Sequence, residues 1–134
     1  MEEYPSASET HLGALLLPHD PAEVEFLRKE LSELPCRTPR TLLNLGRKFV
    51  SRFGIPNVTF VYEAGAVDCF YHTKRLVQLG TPELQRLLHE IGHAKFGRSE
   101  HMAVYYSVGL ILKAIPNFQA DFDNHKLTND PWTN

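Results

Sequence analysis

The sequence predicts a single α+β domain with two N-terminal helices, a short antiparallel sheet and two further helices. Apolar residues recur at helical spacing in four segments, and β-branched and aromatic runs separate the second segment from the third. The chain of 134 residues has the size of one ordinary domain, and its 43% of hydrophobic residues can supply a core. We therefore treat residues 1–134 as one domain.

The N-terminal third of the chain predicts a loose arm followed by two helices. Residues 1 to 18 are rich in Ser, Glu and Pro and show no periodicity. Asp20 is suited to be the N-cap of the first helix, with Pro21 at its first position. The second helix is expected from about residue 38 to residue 53, where Gly54 ends it.

The middle of the chain predicts strands, and two helices follow. The runs "NVTFVYE", "VDCFYH" and "RLVQLG" have the composition of strands. A third helix is expected over residues 82 to 96, with Thr81 as its cap and Gly97 as its end. A fourth is expected from about residue 99 to residue 114. Residues 116 to 134 are polar and predict an irregular tail.

Charge and hydropathy argue against a membrane protein and against a general attraction to nucleic acid. The net charge of −2 gives no overall attraction to nucleic acid or to a membrane surface. No apolar run approaches the roughly 18 to 20 residues that a membrane span requires. The N-terminal Met-Glu-Glu lacks the basic region of a secretory signal, so we expect a soluble, cytoplasmic protein.

Residues 89 to 93 read His-Glu-Ile-Gly-His, an H-E-x-x-H pattern inside the predicted third helix. Helical spacing places His89 and His93 one turn apart on one face. Two imidazoles there can reach one ion at the ~2.0 to 2.1 Å of zinc–nitrogen bonds. Glu90 lies beside that face, where it could accept a proton from a metal-bound water. The pattern predicts a Zn²⁺ site.

A catalytic zinc site usually takes a third protein ligand, and two candidates follow closely. His101 begins an apolar stripe on the fourth helix that continues through Val104, Tyr105 and Val108. Because that stripe should face the third helix to become buried, we expect His101 to be the ligand. Glu100 lies about 100° round the helix and remains the alternative.

The segment "HEIGHAKFGRSEHMAVYY" resembles the SprT-like and YgjP-like zinc metallopeptidase domains, in which a third His is followed four residues later by an aromatic residue. Here those residues are His101 and Tyr105, and the resemblance covers about residues 40 to 118. It implies a zincin-like fold, His89, His93 and His101 as zinc ligands, and Glu90 as the catalytic base. Glu100 and Ala103 also match the E-x-x-A pattern of ImmA-like gluzincins, although the spacer is shorter here.

The leading functional hypothesis is a zinc metallopeptidase that hydrolyses peptide or protein substrates through a zinc-bound water activated by Glu90. The alternative is a binding or regulatory module that keeps the zinc site, with or without a link to proteins bound to nucleic acid. A link to nucleic acid would depend on a basic surface made by the residues between Arg37 and Arg52 together with Lys74, Arg75, Arg86, Lys95 and Arg98. The sequence does not choose among candidates for a second oxyanion donor, which are Tyr105, Tyr106, His72 and His125. His125, Asp121 and Asp123 are minor candidates for a metal ligand from the tail.

Overall fold

A computed structural model describes residues 4–34, 36–115, 120–121, 126–127 and 130–132. The predicted α+β class is confirmed, with five helices and a three-stranded mixed sheet in this part of the chain. The helices are α1 (Ala7–Leu16), α2 (Pro21–Glu33), α3 (Pro39–Arg52), α4 (Leu84–Phe96) and α5 (Glu100–Ala114). The strands are β1 (Thr59–Tyr62), β2 (Cys69–Tyr71), β3 (Leu76–Leu79), β4 (Ala120–Asp121) and β5 (Lys126–Leu127).

The main sheet has the order β1-β3-β2, so the prediction of a wholly antiparallel sheet is wrong. β2 and β3 form the expected antiparallel hairpin, whereas β1 runs parallel to β3. The chain after β1 stays beside the end of β3, where Glu63 N–H donates to the Leu79 carbonyl and Gly65 N–H to the Gly80 carbonyl. It then passes round that end, and β2 comes to lie on the far side of β3.

The predicted loose arm contains α1, so that prediction is wrong for Ala7–Leu16. Ser6 and Glu9 form a capping box at its start, which satisfies amide groups that would otherwise lack partners. α1 packs on α5 with little space between them: a Cβ added at Gly13 would lie 2.3 Å from Cδ1 of Tyr105. Only glycine at this position lets the aromatic ring of Tyr105 lie against the α1 backbone.

The hydrophobic core lies between the sheet and the helices α3 and α4, and α2 and α5 close it. Periodicity placed the apolar face of α3 correctly, because Leu42, Leu45 and Phe49 are all buried. α4 contributes a face made of residues with 0 to 1% exposure: Leu84, Leu87, Leu88 and Ile91. Burying each such side chain is worth about 1.5 to 3 kcal/mol, so the opposite face of α4 is held firmly in position.

The start of α4 is held by the C-terminal segment. The buried Asp130 carboxylate accepts hydrogen bonds from the backbone N–H groups of Leu84 (2.9 Å) and Gln85 (3.0 Å). The prediction of Thr81 as the cap is therefore wrong: the helix begins at Leu84, two residues later than expected, and its cap comes from elsewhere in the chain. Trp132 fixes the same segment by donating from Nε1 to the Thr38 carbonyl.

The tail over residues 116 to 134 is not irregular throughout, because β4 and β5 pair in antiparallel fashion. Residues 116–119, 122–125, 128–129 and 133–134 lie outside the described part of the chain. Among the described helices, none combines the length and the apolar character that crossing a membrane requires.

His19 joins the α1–α2 connection to α5. Its Nε2 lies 2.9 Å from the Tyr106 carbonyl oxygen, and its Nδ1 lies 2.7 Å from Nζ of Lys113. Burial lowers the pKa of His19. The neutral ring can donate from Nε2 and accept a hydrogen bond from the Lys113 ammonium group at Nδ1, while the Leu17 carbonyl oxygen, 3.0 Å from Nδ1, accepts its hydrogen bond from the same ammonium group.

We expect Asp130→Ala to lower the free energy of unfolding by about 1 to 2 kcal/mol, the usual effect of removing a helix cap. Urea denaturation measures the change. The matched control is Glu33→Ala, which removes an exposed carboxylate from α2. Equal stability of the two variants would contradict the capping role.

We expect the free energy of unfolding to fall as the pH falls below the ordinary His pKa of 6.5, because the unfolded chain binds a proton that folded His19 does not. Urea denaturation at a series of pH values measures this slope. His19→Gln should have a shallower slope over the same range. Parallel slopes would show that other groups cause the pH dependence.

Candidate metal centre

α4 presents His89, Glu90 and His93 opposite or beside its leucine-rich face. All three side chains are buried, with 6%, 4% and 7% exposure. The imidazole rings lie edge to face with centroids 5.0 Å apart, as the spacing of four residues requires. Three ionisable residues therefore lie close together in a poorly hydrated environment, which is costly unless they have partners.

α5 approaches α4 very closely at Gly92. A Cβ added at Gly92 would lie 3.1 Å from Cα of Ala103, so the two helices touch through their smallest residues. α5 begins at Glu100, where the Ser99 side chain accepts a hydrogen bond from the Met102 N–H. The contact between the helices therefore places the first residue of α5 beside the two histidines.

The Glu100 carboxylate faces both imidazole rings. Its Oε2 lies 3.1 Å from Nε2 of His89, and its Oε1 lies 3.0 Å from Nε2 of His93. One nitrogen of each histidine and one carboxylate oxygen of Glu100 all lie within 4.8 Å of one another, close enough to bind one metal ion. Within the described residues, no other group of three or more His, Cys, Asp or Glu side chains has this geometry.

His101, the expected third ligand, is not brought to His89 and His93. Its Nε2 lies 3.4 Å from Oε2 of Glu9, at the start of α1. In the apolar stripe of α5, Val104 and Val108 are buried, but they pack against Ala14 of α1 and not against α4, as had been expected. Because the covering helix on that side is α1 and not α4, the order of preference between His101 and Glu100 is reversed.

The hydrogen bonds of His93 favour coordination through Nε2. Its Nδ1 lies 2.8 Å from the Gly97 carbonyl oxygen, which can only accept a hydrogen bond. A neutral His93 that donates from Nδ1 has a lone pair on Nε2, directed at the Glu100 carboxylate. Two lone pairs at 3.0 Å need a proton or a cation between them. A metal ion meets this need for both histidines at once.

Protonation states at the cluster also suit a cation. Burial lowers the pKa of His89, and the hydrogen bond from His89 lowers the pKa of Glu100. The cluster thus favours neutral imidazole and ionised carboxylate, the forms that bind metals.

The pKa of Glu90 is shifted in the direction opposite to that of Glu100. Burial, together with the negative charges of Glu100 and Asp68, raises the pKa of Glu90 to about 8. Among the described residues, none forms a hydrogen bond with its carboxyl group. A cation held by the neighbouring residues would favour the ionised form of Glu90. Its ability to act as a base is therefore linked to the presence of the metal.

A cavity of about 970 Å³ opens over the cluster, a volume within the range of ligand-binding sites. Sequence reasoning missed three of its lining residues: Tyr4, Asp68 and Arg98. Asp68 accepts hydrogen bonds from the N–H groups of Gly80 and Thr81, and so ties β2 to the segment before α4. Neither periodicity nor a motif marks these residues, because their roles depend on contacts distant in sequence.

The candidates for a second oxyanion donor are scattered. His72 lines the cavity, with its ring centroid 6.0 Å from that of His93. Tyr106 is buried behind α4, where its hydroxyl donates to Glu23, and Tyr105 packs on α1. His125 and Asp123 lie outside the described residues, and the side chain of Asp121 is likewise not described.

Comparison of the chain with models of known protein families, with curated proteins and with solved structures finds no match.

We expect Glu100→Ala to lose most bound zinc and His101→Ala to keep it, because only Glu100 faces both imidazole Nε2 atoms. Elemental analysis after zinc loading and gel filtration gives the metal content. His101→Ala is the matched control, since it removes a neighbouring ionisable side chain from the same helix turn. Loss of zinc from His101→Ala alone would contradict the assignment.

Proposed function

We propose that this protein is a zinc-dependent peptidase with His89, His93 and Glu100 as metal ligands and Glu90 as general base. The position of the Glu100 carboxylate, between two imidazole Nε2 atoms at 3.0 and 3.1 Å, is the observation that carries the proposal. Three protein ligands also leave the open position that catalytic zinc sites keep for water or substrate.

The donor set supports zinc among the divalent metals. Two imidazole nitrogens with one carboxylate oxygen form a known class of catalytic zinc site, whereas Mg²⁺ and Ca²⁺ prefer oxygen donors alone. When bound, Zn²⁺ would make water a nucleophile at neutral pH and polarise the peptide carbonyl group.

Glu90 supplies the proton transfer in this proposal. Its carboxylate accepts a proton from the attacking water and passes it to the nitrogen of the leaving amine, so that the peptide C–N bond breaks and acid and amine products form. The absence of a hydrogen bond from other described residues to its carboxyl group leaves Glu90 available for water in the cavity.

The sheet offers a place for the substrate backbone. β2 lies at one end of the strand order, and Cys69 and Phe70 line the same cavity as the histidines. An extended peptide can pair with the outer edge of such a strand through main-chain hydrogen bonds. This mode of binding places a peptide bond near the cluster without requiring a particular side chain.

We expect Glu90→Gln to lower peptide hydrolysis by about 10²- to 10⁴-fold, the usual contribution of a general base. Zinc content should stay unchanged, because Glu90 is not among the three ligands. Cleavage of a mixed peptide library by zinc-loaded protein, followed by mass spectrometry, measures the activity. Glu63→Gln on the segment after β1 is the control for a general effect of losing a carboxylate.

This experiment distinguishes a zinc peptidase from a binding module that retains the metal site. Zinc-dependent cleavage by the wild type that disappears in Glu90→Gln supports the peptidase. Stoichiometric zinc without any cleavage, by wild type and variant alike, would replace it with a binding module that retains the metal site.

A further inference from the structure

A permanent positive charge lies at the cavity that opens over the two histidines. Among the described residues that line this cavity, Asp68, Glu90 and Glu100 contribute carboxyl groups, and Arg98 contributes a guanidinium group. Arginine does not lose its proton in proteins, so this charge is present at every pH at which the chain is folded. The candidate metal centre and a fixed cation therefore share one cavity.

Arg98 lies in the turn between α4 and α5, and the backbone on both sides of it is held in place. Gly97 has φ 80° and ψ −143°, a conformation that residues with a side chain rarely adopt. Its N–H donates to the His93 carbonyl group, and its own carbonyl oxygen lies 2.8 Å from Nδ1 of His93. On the other side, Ser99 caps α5 by accepting a hydrogen bond from the Met102 N–H. The turn thus fixes the point from which the Arg98 side chain enters the cavity.

The carboxylates of the cavity are engaged with groups other than Arg98. The Glu100 carboxylate faces the two imidazole rings at 3.0 and 3.1 Å. Asp68 accepts hydrogen bonds from two backbone N–H groups and lies 4.0 Å from Nε of Arg86. Within the described part of the chain, no residue forms an ion pair or a hydrogen bond with the Arg98 guanidinium group, whereas Lys95, three residues earlier, is paired with a buried glutamate. The Arg98 charge is therefore available to a ligand in the cavity.

We propose that Arg98 is a substrate-binding residue that recognises a carboxylate group close to the scissile peptide bond. The inference rests on the proposed peptidase function and names the class of substrate that the site prefers. That class is peptides with an acidic side chain or a free C-terminal carboxylate at this point. Both sources present the same planar anion, to which a guanidinium group can donate two parallel hydrogen bonds.

The preference for a carboxylate has a physical basis in the exclusion of water. A peptide in the cavity displaces water from around Arg98, and a charge-assisted hydrogen bond becomes stronger as the local dielectric constant falls. A neutral amide at the same point would leave the guanidinium group without an anionic partner, and a cationic side chain would be repelled. A hydrogen bond to a charged group is worth about 10-fold or more in an equilibrium constant.

The test compares the cleavage of matched peptides by zinc-loaded protein. One pair carries Glu or Gln beside the scissile bond, and a second pair has a free or an amidated C-terminus there, so that the two sources of the carboxylate are distinguished. The ratio of kcat/KM for the anionic over the neutral member is expected to fall about 10-fold in Arg98→Gln. Arg98→Glu should reverse the preference, in favour of a Lys peptide. Arg40→Gln is the matched control, because Arg40 is exposed on α3 and does not line the cavity; its ratio should equal that of the wild type.

Peptide binding gives a second readout that needs no turnover. Fluorescence anisotropy measures the Kd of a labelled Ala-rich peptide with one central Glu for zinc-loaded Glu90→Gln, and adding Arg98→Gln should raise this Kd about 10-fold. Zinc content should not change, because Arg98 is not among the candidate ligands.

Equal ratios of kcat/KM for wild type and Arg98→Gln, or a wild type without preference for the anionic peptides, would overturn the inference and leave the peptidase intact. If the wild type cleaves no peptide, the proposed peptidase fails by itself. The Kd then decides the role of Arg98: a rise in Arg98→Gln supports the carboxylate site, and an unchanged Kd or no binding overturns it.

Discussion

The close contact between α4 and α5 at Gly92 and Ala103 is the constraint on which the candidate site depends. A larger residue at either position would separate the helices, because an added Cβ at Gly92 already lies within 3.1 Å of the opposing backbone. Separation would withdraw Glu100 from His89 and His93, since all three meet only through this interface. The E-x-x-A spacing of Glu100 and Ala103 therefore has a geometric meaning: the alanine permits the approach, and the glutamate one turn earlier uses it.

Burial then determines the chemistry of the cluster. Desolvation of His89 and Glu90 disfavours their charged forms, whereas the hydrogen bond from His89 favours the ionised form of Glu100. The neighbouring carboxyl groups of Glu90 and Glu100 thus have pKa values shifted in opposite directions. Such a difference between neighbouring acids is common where one group must bind a cation and the other must exchange a proton. The leucine face of α4 supplies the burial, so the core and the site are properties of one helix.

Structural features that depend on the spacing of neighbouring residues could be predicted from the sequence. Features that depend on contacts between residues distant in the sequence could not. Helical periodicity correctly placed α2, α3 and α5, and the spacing within H-E-x-x-H placed both histidines on one face. α1 was not predicted: its buried residues, Thr10 and Ala14, are small, and its larger apolar residues, Leu12, Leu15 and Leu16, remain exposed. That omission also misdirected the choice of third ligand, since the stripe of α5 that includes His101 is covered by α1. The parallel pairing of β1 with β3 depends on the path of the chain between strands, which composition does not specify.

The contact between Asp130 and the start of α4 joins residues 46 positions apart in the chain. Closing a loop of this length costs conformational entropy that only the assembled fold can offset. The helix that carries the two histidines is therefore capped only in the assembled fold, in which α5 and the β4–β5 pair lie between the two points of the chain. The geometry of the cluster formed by His89, His93 and Glu100 accordingly depends on the whole fold and not on a short autonomous motif, although the H-E-x-x-H motif itself occupies five consecutive residues.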